Sequence, residues 1–408
     1  MKHSTKTFNQ ATKAIKQGHH SLSTASSPQK RIHDWLADYI LPAGLLALMT
    51  GMFWVGDRSL YHKVYYTLLA FPTLIALILS PTLLAQTSKN GILMCFLLFA
   101  TYTAISISWS GNIQPSSIKR PIYIALLFYA TILITQKNPN RLEKIIYYSL
   151  WIATISAIIS ITKYFYTNYG GRFSGYGALY NPLLTSHVYG MFAALALALS
   201  LQPGRSPWLP LGLFAILSAL LLLTGSRTPL TGLGACLLWQ GLINRNMRIL
   251  WIISGSLTGI TALFLIDPEN LVSRGFSHRP QIWAEAWRQI LQNPWFGHGY
   301  EYPFVCVIPE LDFTIADPHN IELAVLFSGG IVGLMLWLLL YGVALCFAWR
   351  NRHDQLVALA STALIFGITA GLTEGSAFMS RPKEHWFLIW IPMALLAAAW
   401  LRKKPGKS

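Results

Sequence analysis

The chain is a succession of long apolar runs joined by short polar connections, and that pattern leaves few folds open. The runs fall at about 35–54, 64–85, 91–109, 121–136, 145–165, 183–201, 208–223, 228–242, 249–266, 319–346, 355–373 and 386–401. Most are near the ~20 residues a helix needs to cross about 30 Å of hydrocarbon. The run at 228–242 is shorter and Gly-rich, which suits a helix tilted or packed inside a bundle. Helices satisfy their own backbone polar groups in lipid, and these runs lack the alternation of a membrane β-barrel. Composition agrees: 53% of residues are hydrophobic and 11% charged, against about 25% charged in a soluble domain. The expected fold is all-α, a polytopic membrane helical bundle of about twelve transmembrane helices.

Lys and Arg orient the bundle, because basic residues gather in cytoplasmic connections. With both termini in the cytoplasm, that side holds 19 of the 31 basic residues and only four of the 15 acidic ones: Asp34, Asp38, Glu143 and Asp354. Nearly all of the net charge of +16 is then an orientation signal and an attraction to anionic membrane lipid. No basic stripe lies on a soluble face, so no nucleic acid partner is expected. Five regions follow: a disordered basic cytoplasmic tail (1–34), spans one to nine (35–266), a large periplasmic loop (267–318), spans ten to twelve (319–401) and a basic cytoplasmic tail (402–408).

The cytoplasmic connections are short and basic and carry no phosphate-binding GxxxxGK[ST] motif, which argues against ATP chemistry there. Of the four cysteines (Cys95, Cys236, Cys306 and Cys346), only Cys306 falls in the outer loop, so no disulfide framework is available. No CxxC or paired-His spacing suggests zinc. Asp267-Pro268-Glu269 resembles a metal-binding pair only in spacing, so no metal or other cofactor is expected.

The outer side is richer. The 52 residues from Asp267 to Pro318 form the longest polar stretch between runs. Within it, Trp283, Ala286, Trp287 and Ile290 recur at helical spacing, making Gln281–Gln292 amphipathic. Such a segment lies on the lipid interface or packs on the bundle. Three outer segments put an arginine near a helix end: Arg172, Arg227 and Arg279. A lone arginine there often only snorkels to lipid phosphate. Arg227 differs, because it abuts Thr228-Pro229 at a helix start, where the N-terminus adds positive potential. Several guanidinium forks on one face suit a phosphate or pyrophosphate. His319 stands where the chain re-enters the membrane, with Asn320 beside it and Glu322 one turn on. A neutral imidazole there takes a proton from a weak nucleophile such as a sugar hydroxyl, although a His after Pro also serves simply as a cap. Glu322 either orients that ring or pairs elsewhere. His278, His298 and His385 share the face with weaker context.

Four stretches resemble the O-antigen ligase family of bacterial membrane glycosyltransferases, within the ligase/polymerase superfamily. His319-Asn320-Ile321-Glu322-Leu323, followed by Gly329-Gly330-Ile331-Val332-Gly333, is similar to the family's His-Asn/Ser-x-x-Leu turn into a Gly-containing helix. Ser226-Arg227-Thr228 resembles the family's Ser-Arg at a span end. Arg279-x-x-Ile282-Trp283 resembles its Arg before an amphipathic periplasmic helix, and Arg172-x-x-Gly175 with Asn181-Pro182 is a weaker match. The resemblance implies a metal-independent transfer of undecaprenyl-pyrophosphate-linked polysaccharide to a sugar hydroxyl of lipid A–core, at the periplasmic face of the inner membrane. It implies catalytic roles for His319 as base and for Arg227 and Arg279 on the pyrophosphate, with Arg172, Glu322 and Asn320 contacting substrate. The same motifs leave open an O-antigen polymerase or a protein (pilin) O-oligosaccharyltransferase. A non-catalytic transporter of lipid-linked glycan fits less well, because transporters usually place ionisable groups at mid-membrane.

Overall fold

The structure is a computed structural model that describes residues 27–167, 172–204, 206–244, 248, 252, 254–255, 278–308 and 314–402. Eleven expected runs coincide with helices. They are α1 (Pro28–Phe53), α2 (Arg58–Leu79), α3 (Gly91–Trp109), α4 (Pro115–Lys137), α5 (Arg141–Thr167), α6 (Pro182–Ser200), α7 (Trp208–Leu223), α8 (Thr228–Asn244), α10 (Ile321–Arg350), α11 (Gln355–Gly371) and α12 (Trp386–Trp400). Most of the ninth run, 249–266, lies outside the described residues, as do 1–26 of the N-terminal tail. Helix α9 (Arg279–Ile290) belongs to the long loop. Seven helices, α1 to α6 and α10, are long and apolar enough to cross a membrane, and α7, α11 and α12 are shorter apolar helices. The chain is a multi-pass membrane protein.

Local chemistry starts several of these helices. The polar residue that closes a connection caps the helix that follows: Asp57 accepts from the Leu60 N–H, Asn90 from Leu93, Asn181 from Leu183 and Asp354 from Val357. Helices α6, α11 and α12 form the centre and are buried along nearly their whole length. Their sequences are apolar on every side, as burial requires. Small residues bring them close; a side chain at Gly367 would overlap the Leu388 carbonyl of α12.

Two layers of ion pairs mark the faces of the bundle. Lys137–Asp34 (2.8 Å), Arg141–Asp38 (2.8 Å), Arg402–Glu143 (2.9 Å) and Arg402–Asp354 (3.3 Å) join residues expected on the cytoplasmic side. Arg58–Glu384 (3.3 Å), Arg120–Glu301 and Arg279–Glu374 join residues expected on the other. Among the described residues no ion pair crosses between the two sets.

One helix departs from the expectation. The continuous apolarity of 319–346 reads as a single span, but α10 is broken at Gly330 (φ 61°, ψ −164°). That conformation is essentially open to glycine alone. The Glu322 carboxylate lies against Trp337 and Tyr341, residues that a straight helix would place about 22 Å or more away. The first segment therefore folds back along the second, and its start lies roughly 10 Å or more along that helix from the turn. The loop at 294–299 supplies the missing backbone partners. His298 N–H donates to Phe327 O (2.9 Å), Gly299 N–H to Ser328 O (2.9 Å), Ile331 N–H to Pro294 O (2.8 Å) and Val332 N–H to Trp295 O (3.2 Å). The Tyr102 hydroxyl donates to Gly329 O (2.6 Å). Broken helices persist at membrane depth only when protein satisfies the freed groups in this way.

Candidate active site

The reversal of α10 sets His319 at the recessed start of its first segment, and three local contacts hold it there. The His319 backbone N–H donates to Asp317 Oδ1 (2.7 Å). The Trp283 indole N–H donates to Pro318 O (3.1 Å). Asn320 caps the helix through Oδ1, accepting from Leu323 N–H (2.9 Å), while its Nδ2 donates to Leu372 O (2.8 Å) at the end of α11. His319 itself adopts φ 50°, a left-handed conformation unusual for a residue with a side chain. Such strain persists only where surrounding contacts over-determine it, and it clusters at functional positions.

Helix α9 delivers the second group. Ile282, Ala286 and Ile290 bury against Leu326 and Phe327 of the first segment of α10. Its apolar stripe thus packs on the bundle rather than on lipid, although Trp287 remains exposed. Arg279 is its first residue, and its Nη2 donates to Glu374 Oε1. Glu374 follows the end of α11 and is only 4% exposed. Its other oxygen lies 3.9 Å from His319 Nδ1, and Asp317 Oδ1 lies 3.9 Å from the same atom. These distances are too long for hydrogen bonds but close enough for both carboxylates to attract the ring once it carries a proton. Burial pushes the Glu374 carboxyl above the ordinary carboxylate value, against the pull of Arg279 and His319.

The remaining arginines approach through backbone. Thr228, next to Arg227 and first in α8, places its hydroxyl 3.1 Å from that of Thr373, the neighbour of Glu374. Arg227 is exposed at the start of α8, and the Leu230 and Thr231 N–H groups donate to its carbonyl. Among the described residues it makes no ion pair. Arg172 Nε donates to Thr224 O (3.0 Å), three residues before Arg227, and Phe173 N–H donates to Leu223 O (3.1 Å). So His319 and Arg279 meet on Glu374, and Arg227 and Arg172 stand on the segments that flank it.

Glu322 faces Trp337 and Tyr341 rather than His319, and neither of its oxygens finds a hydrogen-bond partner among the described residues. Asn320 spends its amide on the cap and on α11. The residue that joins the cluster, Glu374, was not singled out from sequence. Its signal was modest: an acid immediately after an apolar run, on the face that already held three arginines. Asp267 and Glu269 lie outside the described residues.

A concavity lies among residues of the other set of ion pairs, Glu143, Asp354 and Arg402. It encloses about 1120 Å³ and includes Lys144, Tyr147, His353 and Arg402 in its lining. Arg402 there is already held by Glu143, Asp354 and Asn140. None of its lining residues belongs to the His319 cluster, and it offers no comparable group of base, acid and open guanidinium.

Fold and site together define a polytopic membrane protein with His319, Asp317, Arg279 and Glu374 gathered where α9, α10 and the end of α11 meet. Comparison with known proteins sharpens this. Residues 212–338 match the family model described as O-Antigen ligase, a stretch that includes Arg227, Arg279, His319, Asn320 and Glu322. The chain is also 50% identical over 377 residues to the O-antigen ligase of Pseudomonas aeruginosa, covering 90% of this chain and 92% of that protein. The chain belongs to the O-antigen ligase family, and is thereby a glycosyltransferase-type enzyme of lipopolysaccharide biosynthesis.

Proposed function

We propose that the chain transfers a polysaccharide from an undecaprenyl-pyrophosphate donor to a sugar hydroxyl of lipid A–core, without a metal ion. In this reading it sits in the bacterial inner membrane with both termini in the cytoplasm, and the loop 267–318 and the site face the periplasm. The observation that carries it is the meeting of Arg279, Glu374, Asp317 and His319, with Arg227 beside them. Each part has a task. His319 removes the proton from the attacking hydroxyl, and Asp317 and Glu374 attract the positive charge its ring gains. Arg227 and Arg279 neutralise the departing pyrophosphate. A guanidinium has five N–H donors, so the bond from Arg279 to Glu374 leaves donors for an anion. Arg172 is a secondary phosphate contact. Asn320 and Glu322 serve the substrate by setting the position of the His319 turn and the broken helix behind it.

The test is transfer in vitro with purified chain, a defined lipid-linked donor and lipid A–core, comparing the original chain with His319→Ala. A general base contributes about 10²–10⁴-fold, so the variant should lose nearly all transfer. His319 is 37% exposed, so thermal unfolding should change little. Full transfer by the variant would remove His319 from this role. Elongation of the donor, without transfer to the core, would identify a polymerase.

A further inference from the structure

His385 is buried and has no part in the mechanism above. It stands immediately before α12. Its Nδ1 lies 3.1 Å from Glu384 Oε1, and Glu384 is held in turn by Arg58 (3.3 Å) and Lys383 (3.7 Å). The ring also packs against that of His187 in α6, with 5.9 Å between centroids. Its Nε2 finds no hydrogen-bond partner among the described residues. That nitrogen lies instead against the backbone of Gly375, where a Cβ would overlap Nε2 and come within 3.1 Å of two further ring atoms.

The contact matters because Gly375 adjoins Glu374. Both residues follow the end of α11 and lie in no helix, so regular hydrogen bonding does not fix them. Four successive residues are instead pinned one by one to different parts of the chain. Leu372 O accepts from Asn320 Nδ2 (2.8 Å), and the Thr373 hydroxyl lies 3.1 Å from that of Thr228. Glu374 meets Arg279 and His319, and Gly375 rests on His385. Arg279 and His319 attract the carboxylate, but they do not set the course of the chain that carries it. With φ 85° and no side chain, Gly375 brings that chain down onto the imidazole, a conformation suited to glycine. Glu384 and the buried start of α12 hold the ring in place behind it. We propose that His385 is a positioning residue for transfer: its imidazole supports the chain at Gly375 and so holds the Glu374 carboxylate against His319 and Arg279. It acts by occupying space and touches no substrate. This rests on the reading of His319 as base and Glu374 as its electrostatic partner.

The experiment is a double-mutant cycle on kcat per folded protein, with the full chain in nanodiscs, a defined lipid-linked donor and lipid A–core. His385→Asn keeps an amide toward Glu384 and empties the space under Gly375. Misplacing a catalytic group by about 1 Å costs up to roughly 100-fold. In the original chain the substitution should therefore lower kcat by about 5-fold to 100-fold, with donor KM held or lowered. In the Glu374→Gln background it should cost less than about twofold, because no charge is left to misplace. A purely structural role would lower the melting temperature in both backgrounds without this coupling. His385→Gln reaches toward the place of Nε2, so its kcat should fall less, and that smaller loss should also vanish beside Glu374→Gln; it repeats the cycle if His385→Asn does not fold. Original kcat in folded His385→Asn would overturn the proposal. So would an equal fold-loss in both backgrounds, which would make His385 act independently of Glu374. Original kcat in Glu374→Gln alone would refute the reading of Glu374 and the role of His385 with it. A loss in Glu374→Gln with no coupling to His385 would overturn the role of His385 only.

Discussion

Glu374→Gln isolates the electrostatic part of the proposed mechanism. The substitution keeps shape and volume and removes one negative charge. Glu374 lies 3.9 Å from His319 Nδ1. Two unit charges about 4 Å apart attract by about 1 kcal/mol in bulk water and about 4 kcal/mol at an effective dielectric of 20. Glu374 is buried while His319 is 37% exposed, so the value falls between those limits. The attraction exists only when the imidazole has taken the proton, so its loss enters the barrier to transfer. We expect kcat to fall between about 5-fold and 1000-fold. Donor KM should hold or improve, because Arg279 loses its internal partner. Steady-state transfer with varied donor and acceptor measures both. The pH profile adds an independent reading. Glu374 must be ionised to act, and burial raises its carboxyl above the ordinary value of 4.5. The rate of the original chain should therefore fall with acid at a higher pH than an ordinary glutamate would give, and that part of the limb should be absent from the variant. For folding the sign is opposite. A raised carboxyl contributes most below 4.5 and loses that contribution as pH rises through its folded value. A Glu374→Gln variant with the kcat and acid limb of the original chain would refute the assignment.

Arg227→Lys should lower kcat/KM by about tenfold or more, because an ammonium cannot reproduce a bidentate fork on pyrophosphate; kinetics near those of the original chain would place Arg227 at the lipid surface only. Gly330→Ala combines a strained backbone, costing about 1–3 kcal/mol, with overlap against the Trp295 carbonyl, so both thermal stability and transfer should drop. Asn320→Ala removes a cap worth about 1 kcal/mol, and stability should fall with activity; lost activity at unchanged melting temperature would instead make Asn320 a direct substrate contact. EDTA should leave transfer intact, and inhibition reversed by a divalent ion would return Asp267 and Glu269 to consideration.

The site was partly legible before any coordinates. Arg279 and His319 were marked by charge and by place at the membrane edge, and they do share a partner. What could not be read was the partner. Glu374 is 95 residues from Arg279 in sequence, and nothing local to either announces the pair. Asn320 was marked only as part of the motif around His319, and its cap on α10 and its bond to the Leu372 carbonyl, 52 residues away, were not legible there. Gly329-Gly330 was visible as a Gly-containing helix, but whether glycine there means close packing or a reversal depends on the chain opposite, here the segment at 294–299.

Apolarity, charge and capping are properties of short stretches of chain, and they add along its length. That is why the sequence alone determined a membrane bundle, most of its helix boundaries and which charged residues share a face. Which of those residues touch depends on how helices pack, on a reversal at one glycine and on strain imposed at His319 by its neighbours. Those are competitions among distant groups for the same space and the same hydrogen bonds, and only the tertiary structure decides them.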